Sequence, residues 1–96
     1  MEITLYSQEL CPPCIALKEW FAQEKIPYRN IYTKHLDDAE RKILRENILA
    51  VSKIDLPTVP AVQIVNGGDY PIWISNHGES DVTEMISNIK KVLGIK

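Results

Sequence analysis

Cysteine is scarce in this 96-residue chain: there are two, too few for the disulfide framework of a small secreted domain. No apolar run approaches the ~20 residues of a membrane span. No internal repeat, low-complexity tract or block of like charge interrupts the chain, so one domain over residues 1–96 is expected. Basic charge is not in excess. The formal net charge is -2 and the pI about 5.6, which argues against a surface built to hold nucleic-acid phosphates. The start Met1-Glu2-Ile3-Thr4 lacks a basic segment ahead of a long apolar one, so no secretory signal is expected. A soluble cytoplasmic monomer, without membrane or nucleic-acid partners, is the expectation. What remains is globular in proportion, 45% hydrophobic and 25% charged. A chain of this size buries about 65% of its unfolded surface, enough for one core without staples.

Ile3, Leu5 and Tyr6 predict a first strand over about residues 2–7. From Cys14 to Glu24 the period becomes helical, with Ile15, Leu17, Trp20 and Phe21 on the apolar face and Pro27 as the stop. Residues Tyr28 to Tyr32 read as a second, half-exposed strand. Asp37 or Asp38 caps a second helix whose buried stripe is Ala39, Ile43, Leu44, Ile48 and Leu49. Its charges Glu40, Arg41, Lys42, Arg45 and Glu46 read as a solvated face. Ala61 to Val65 predicts a third strand, Asn66-Gly67-Gly68 a tight turn, and Tyr70 to Ser75 its partner. Pro71 inside that partner cannot donate to a ladder and puts the strand at a sheet edge. A last helix starts at Asp81, with Glu84 completing a capping box. Val82, Met85, Ile86, Ile89, Val92 and Leu93 form its core face, and Gly94 stops it. The order β-α-β-α-β-β-α implies an α/β fold: a four-stranded mixed sheet with flanking helices.

Chemistry concentrates at Cys11-Pro12-Pro13-Cys14, where the first strand gives way to a helix. Side chains three apart share a helix face, close enough for a disulfide. The unpaired amides and positive dipole end of a helix start favour a thiolate, so Cys11 should ionise below the ~8.5 of free cysteine. Pro12 and Pro13 lack N–H groups, which stiffens the turn but leaves fewer donors for the sulfur. Pro13 also biases Pro12 away from helical dihedrals, so regular helix is expected from Pro13 or Cys14. Glu9 opposes ionisation if close, and Lys18, one turn beyond Cys14, partly offsets it. The shift should therefore be modest, with Cys11 the exposed attacking thiolate and Cys14 the shielded resolving thiol. Two other readings stand beside redox chemistry: inert buried cysteines, or zinc held with His35 and His77. Those histidines are 42 residues apart, unlike a compact zinc finger, so no metal site is expected. Trp20, Phe21 and Trp73 read as packing rather than a substrate platform. Tyr6 either packs or flanks the site.

The CPPC motif at the first helix, Thr58-Val59-Pro60 before the third strand, the hairpin and the terminal helix together resemble the glutaredoxins of the thioredoxin superfamily over nearly the whole chain. The resemblance implies a thioredoxin-like fold and a cis bond before Pro60, with Thr58, Val59 and Pro60 against the disulfide substrate. It implies glutathione as the reducing co-substrate, with no bound cofactor. Glutathione's γ-glutamyl end would lie at His77-Gly78-Glu79-Ser80-Asp81, where Gly78, Ser80 and Asp81 match the family. His77 replaces a glycine, Glu79 adds a charge where an anion sits, and Gln8 replaces the usual basic residue before the motif. These departures motivate an alternative electron donor, thioredoxin reductase. A non-catalytic metal-binding or redox-sensing module is the alternative from another class. The client is a disulfide-containing protein or small molecule, with ribonucleotide reductase a candidate by resemblance only.

Overall fold

The central strand carries the architecture. In the computed structural model, which describes residues 2–52, 60–67, 70–75 and 82–94, β1 (Glu2–Ser7) is followed by α1 (Pro12–Gln23), β2 (Arg29–Tyr32), a 3-10 turn (Thr33–His35), α2 (Asp38–Ser52), β3 (Ala61–Val65), β4 (Ile72–Ser75) and α3 (Thr83–Leu93). The sheet order is β2-β1-β3-β4. β1 runs parallel to β2 and antiparallel to β3, and β3 runs antiparallel to β4. This is the expected mixed sheet, with β4 at an edge.

Alternation along the strands sorts the side chains to two faces. Ile3 and Leu5 of β1, Val62 and Ile64 of β3 and Ile74 of β4 point to one face, where Leu17 and Phe21 of α1 and Met85 and Ile89 of α3 cover them. Tyr6, Ile31, Ala61 and Trp73 point to the other, beneath Leu36 and Leu44. Trp73 stacks on Tyr6 with ring centroids 5.8 Å apart. Phe21 is fully buried and Trp20 packs against the same cluster, so all three large rings serve packing. Burial raises the Tyr6 hydroxyl pKa, against the opposing pull of Arg29.

Several boundaries differ from the sequence expectation, each for a local reason. Helix α1 begins at Pro12 because proline suits the first helical position: its φ is preset and its missing N–H has no intrahelical partner to lose. Its buried residues are Cys14, Leu17 and Phe21, while Ile15 is exposed. The helix ends before Pro27. Lys25, at φ 55°, turns the chain so that its N–H reaches the Ala22 carbonyl at 3.2 Å and the Ile26 N–H reaches Phe21 at 2.9 Å. In α2 Leu44 is buried as expected, whereas Ala39 and Ile43 are exposed; the side chains of Ile48 and Leu49 lie outside those described. Asp37 caps that helix through a reciprocal box: Oδ1 accepts from the Glu40 N–H at 2.8 Å, and Glu40 Oε1 accepts from the Asp37 N–H at 3.3 Å. Tyr70 and Pro71 precede β4 rather than joining it. Helix α3 starts at Thr83, with Val82 at the cap position and no side-chain cap bond. Asp81, the expected cap, lies outside the described residues, as does Gly68. Gly94 ends α3 in the left-handed region at φ 73°, as expected.

Candidate active site

β1 ends at Ser7, whose buried hydroxyl donates to Asn30 Oδ1 on β2 at 2.7 Å, tying the strand end in place. Three loop residues later the chain enters α1 through Cys11, the cap residue, in an extended conformation. Pro12 and Pro13 occupy the first two helical positions and carry no N–H, so the first helical amide present is that of Cys14. It donates to Cys11 Sγ at 3.3 Å. The Ile15 N–H closes the first turn on the Cys11 carbonyl at 3.0 Å. One amide aimed at the sulfur is fewer than an ordinary helix start offers, as the paired prolines imply.

Cys11 and Cys14 are joined in a disulfide, with Cα atoms 5.2 Å apart. Cys14 is fully buried; Cys11 is partly exposed. In place of redox-inert, separately buried cysteines there is a bonded pair with one residue buried and the other partly exposed. His35 lies edge-on to the Tyr32 ring, centroids 6.1 Å apart, and His77 lies outside the described residues. Among the described residues no three His, Cys, Asp or Glu side chains cluster as a metal site.

The charges around the pair are arranged differently from the expectation. Glu9 Oε1 accepts from Lys34 Nζ at 2.7 Å, and this bond holds the Glu9 carboxyl below its ordinary pKa. Lys18 instead donates to the Tyr32 hydroxyl at 3.3 Å and lies 4.6 Å from that ring's centroid. The cation bonded to Glu9 is therefore Lys34, contributed by the 3-10 turn, and Lys18 adds a smaller coulombic pull. Sequence reasoning missed Lys34, since 25 residues separate it from Glu9 and no local spacing links them. Arg41 holds that turn through bonds to the Thr33 and Lys34 carbonyl oxygens, at 3.3 and 3.2 Å. Between the loop before Cys11, the 3-10 turn and α2 runs a groove of about 570 Å³.

Pro60 is fully buried at the start of β3, where Ala61 pairs with Tyr6 near the end of β1. It thus sits at the end of the sheet from which the Cys11 loop departs. Thr58 and Val59, and with them the Val59-Pro60 bond, lie outside the described residues, as do Gly78, Ser80 and Asp81. Tyr6 turns to the α2 side of the sheet and packs on Trp73.

A bonded cysteine pair at the start of the helix that follows the central strand of a four-stranded mixed sheet defines a thiol–disulfide oxidoreductase of the thioredoxin-like class. The glutaredoxin family model matches residues 3–69, more than half of the chain, and the chain belongs to the glutaredoxin family. Glutaredoxin 1 from Francisella tularensis, solved as a complex with cacodylate, has the same fold: TM-score 0.55, 23% identity, over 97% of this chain and 96% of that one. The glutaredoxin of Archaeoglobus fulgidus is similar at TM-score 0.56 and 24% identity, over 96% of this chain and 85% of that one. No curated protein matches the chain. Among the described residues no helix is long and apolar enough to cross a membrane.

Proposed function

We propose that residues 1–96 form a single cytoplasmic, monomeric domain that reduces protein or small-molecule disulfides with glutathione as electron donor. The observation that carries the reading is the asymmetry of the pair: Cys11 meets solvent at a helix start while Cys14 is sealed behind it. The Cys11 thiolate attacks one sulfur of the client disulfide, and the other client sulfur leaves as a thiolate. Cys14 then attacks Cys11, the second client thiolate departs, and two electrons have passed to the client. A glutathione thiolate attacks Cys11 and frees Cys14. A second glutathione attacks the glutathione sulfur of that mixed disulfide, freeing Cys11 and yielding oxidised glutathione. Pro12 and Pro13 hold the turn rigid; Thr58, Val59 and Pro60 contact the substrate; Gly78, Ser80 and Asp81 contact glutathione. No metal and no resident cofactor take part.

Family membership supports glutathione, which glutaredoxins use as co-substrate. The His77 and Glu79 departures favour the second reading, in which thioredoxin reductase is the donor. Turnover of a disulfide with glutathione plus glutathione reductase is compared with turnover on NADPH plus thioredoxin reductase. Activity with the first supports the proposal; activity with the second alone overturns the donor and keeps the chemistry. Cys11→Ser should lower turnover by roughly 10³-fold or more, and Cys14→Ser should accumulate the mixed disulfide. The alkylation rate of reduced Cys11 should show a midpoint modestly below the ~8.5 of free cysteine. A midpoint at or above that value removes the helix-start argument.

A further inference from the structure

Ile3, Leu5 and Ser7 alternate onto the face of the sheet that α1 covers, and all three are buried. Cys14, Leu17 and Phe21 form the buried stripe of α1. That helix returns from the end of β1 and leads into β2, which runs parallel to β1, so the two rows oppose each other end to end. The seven residues from Cys14 to Phe21 rise about 10 Å and the four from Ile3 to Ser7 about 13 Å, which sets Phe21 toward Ile3 and Cys14 toward Ser7. The flanking contacts agree. Tyr32 pairs with Ser7 in the parallel register, and Lys18, one turn beyond Cys14, donates to the Tyr32 hydroxyl at 3.3 Å. On the other side of Ser7, one step beyond the Tyr6–Ala61 pair, Pro60 is sealed from solvent. Ser7 and Cys14 are both fully buried, and among the described residues Cys14 joins neither apolar cluster.

A serine hydroxyl has one proton to give, and that of Ser7 goes to Asn30 Oδ1 at 2.7 Å. The Ser7 oxygen therefore meets its other neighbours with lone pairs. We infer that in the reduced protein this oxygen accepts the S–H of Cys14, with Asn30 a positioning residue that keeps Ser7 from turning its own proton toward that sulfur. A hydrogen bond to the neutral thiol, in a place sealed from water, disfavours the thiolate. The two sulfurs are thus kept unlike: an amide proton faces Cys11 and a lone pair faces Cys14. Resolution begins when the Cys14 proton leaves for solvent. The Cys14 sulfur then bonds to Cys11, and the departing client thiolate takes up a proton. Other titratable groups around Cys14 are Cys11, and Lys18 and Tyr32, which bond to each other. Arg29 of β2 lies toward Tyr6 on the opposite face, and the buried residues of β3 and α3 on this face, Val62, Ile64, Met85 and Ile89, do not titrate. The inference rests on the dithiol chemistry proposed above and adds the group that times its second step.

The test mixes the reduced full chain with one equivalent of the symmetric disulfide of 2-nitro-5-thiobenzoate and follows absorbance by stopped flow across pH. One coloured thiolate leaves when Cys11 attacks, and the second when Cys14 resolves. Asn30→Ala frees the Ser7 proton to turn toward Cys14, so the pH midpoint of the second phase should fall by about one unit. The thiolate gained is a weaker nucleophile, so that phase should run only about threefold faster at neutral pH. The first phase, which reports Cys11, should not change. Asn30→Asp keeps an acceptor for Ser7 and should hold the midpoint at or above its wild-type value. On a Ser7→Ala background Asn30→Ala should leave the midpoint in place, whereas a general loosening of β2 would act with or without Ser7. An Asn30→Ala midpoint that stays or rises overturns the inference. So does an equal fall in Asn30→Asp or in the absence of the Ser7 hydroxyl. A wild-type protein that releases the first thiolate and never the second sinks the dithiol chemistry instead.

Discussion

The two faces of the sheet are built to different standards. On the face under α1 and α3, Leu5, Leu17, Phe21, Val62, Ile64, Met85 and Ile89 are all essentially sealed from solvent. On the face under α2, Leu36, Leu44 and Ala61 are buried among the described hydrophobic residues, and Tyr6, Ile31 and Trp73 stay partly exposed. Four strands spaced ~4.8 Å apart make a surface roughly 19 Å wide, whereas a helix with its side chains is about 10–12 Å across. Two helices side by side span such a face. The closed face supplies stability; on the other, a groove runs along α2 on the side from which Lys34 reaches Glu9. Cys14 is buried at the start of α1 and Cys11 is not, so the bonded pair itself repeats the contrast at the scale of two side chains.

The comparison breaks first at Phe21. Its ring stacks on Tyr28 with centroids 4.8 Å apart and contacts Trp20 at 5.2 Å. Phe21→Ala should cost about 3–5 kcal/mol in denaturant unfolding, a large share of the ~5–15 kcal/mol typical of a domain. Leu44→Ala, the matching deletion on the other face, should cost nearer ~2 kcal/mol, because its partly exposed neighbours can settle into the space. Equal losses at the two positions would mean that the faces do not differ as described.

Smaller perturbations sharpen the picture along α2. Asp37→Ala removes one half of the capping box and should cost about 1 kcal/mol, with faster amide exchange in the first turn of that helix. Asp37→Asn should recover most of it; no recovery would point away from capping. The least effect is expected at Lys34. In the wild type the Glu9 carboxyl titrates below its ordinary value, so the pairing is present at neutral pH and is lost as pH falls through that lowered midpoint. Lys34→Ala should move the Glu9 midpoint, followed by NMR, back up toward the ordinary value and leave the unfolding midpoint nearly unchanged. The Cys11 alkylation midpoint should rise slightly in the same variant and return in the Glu9→Gln, Lys34→Ala double variant.

Much of the fold could be read from short windows. Strand β1 lies at the residues its apolar run marks, β3 at Ala61 to Val65, and Gly94 ends the last helix in the conformation that only glycine adopts at little cost. Periodicity found α2 and its buried Leu44. Ala39 and Ile43 belong to the same apolar stripe of the sequence, yet the helix turns Leu44 inward and leaves these two to solvent. The solvated charges of the same helix were recognised as exposed, but not as one wall of a groove, because the opposite wall comes from residues 8 and 9.

Within the site, the pairing of Cys11 with Cys14 and the difference in their exposure follow from two intervening residues and the onset of a helix. Those are short-range matters: fixed proline φ, missing amides and a period of 3.6 act between neighbours, so the chain order alone settles them. The pairing of Glu9 with Lys34 and the capture of Lys18 by Tyr32 join positions 25 and 14 residues apart. Burial of Pro60 beside the end of β1 likewise depends on β3 crossing back to pair there. Such contacts exist only once the sheet has closed, since charge and packing act through space and carry no signature in local spacing.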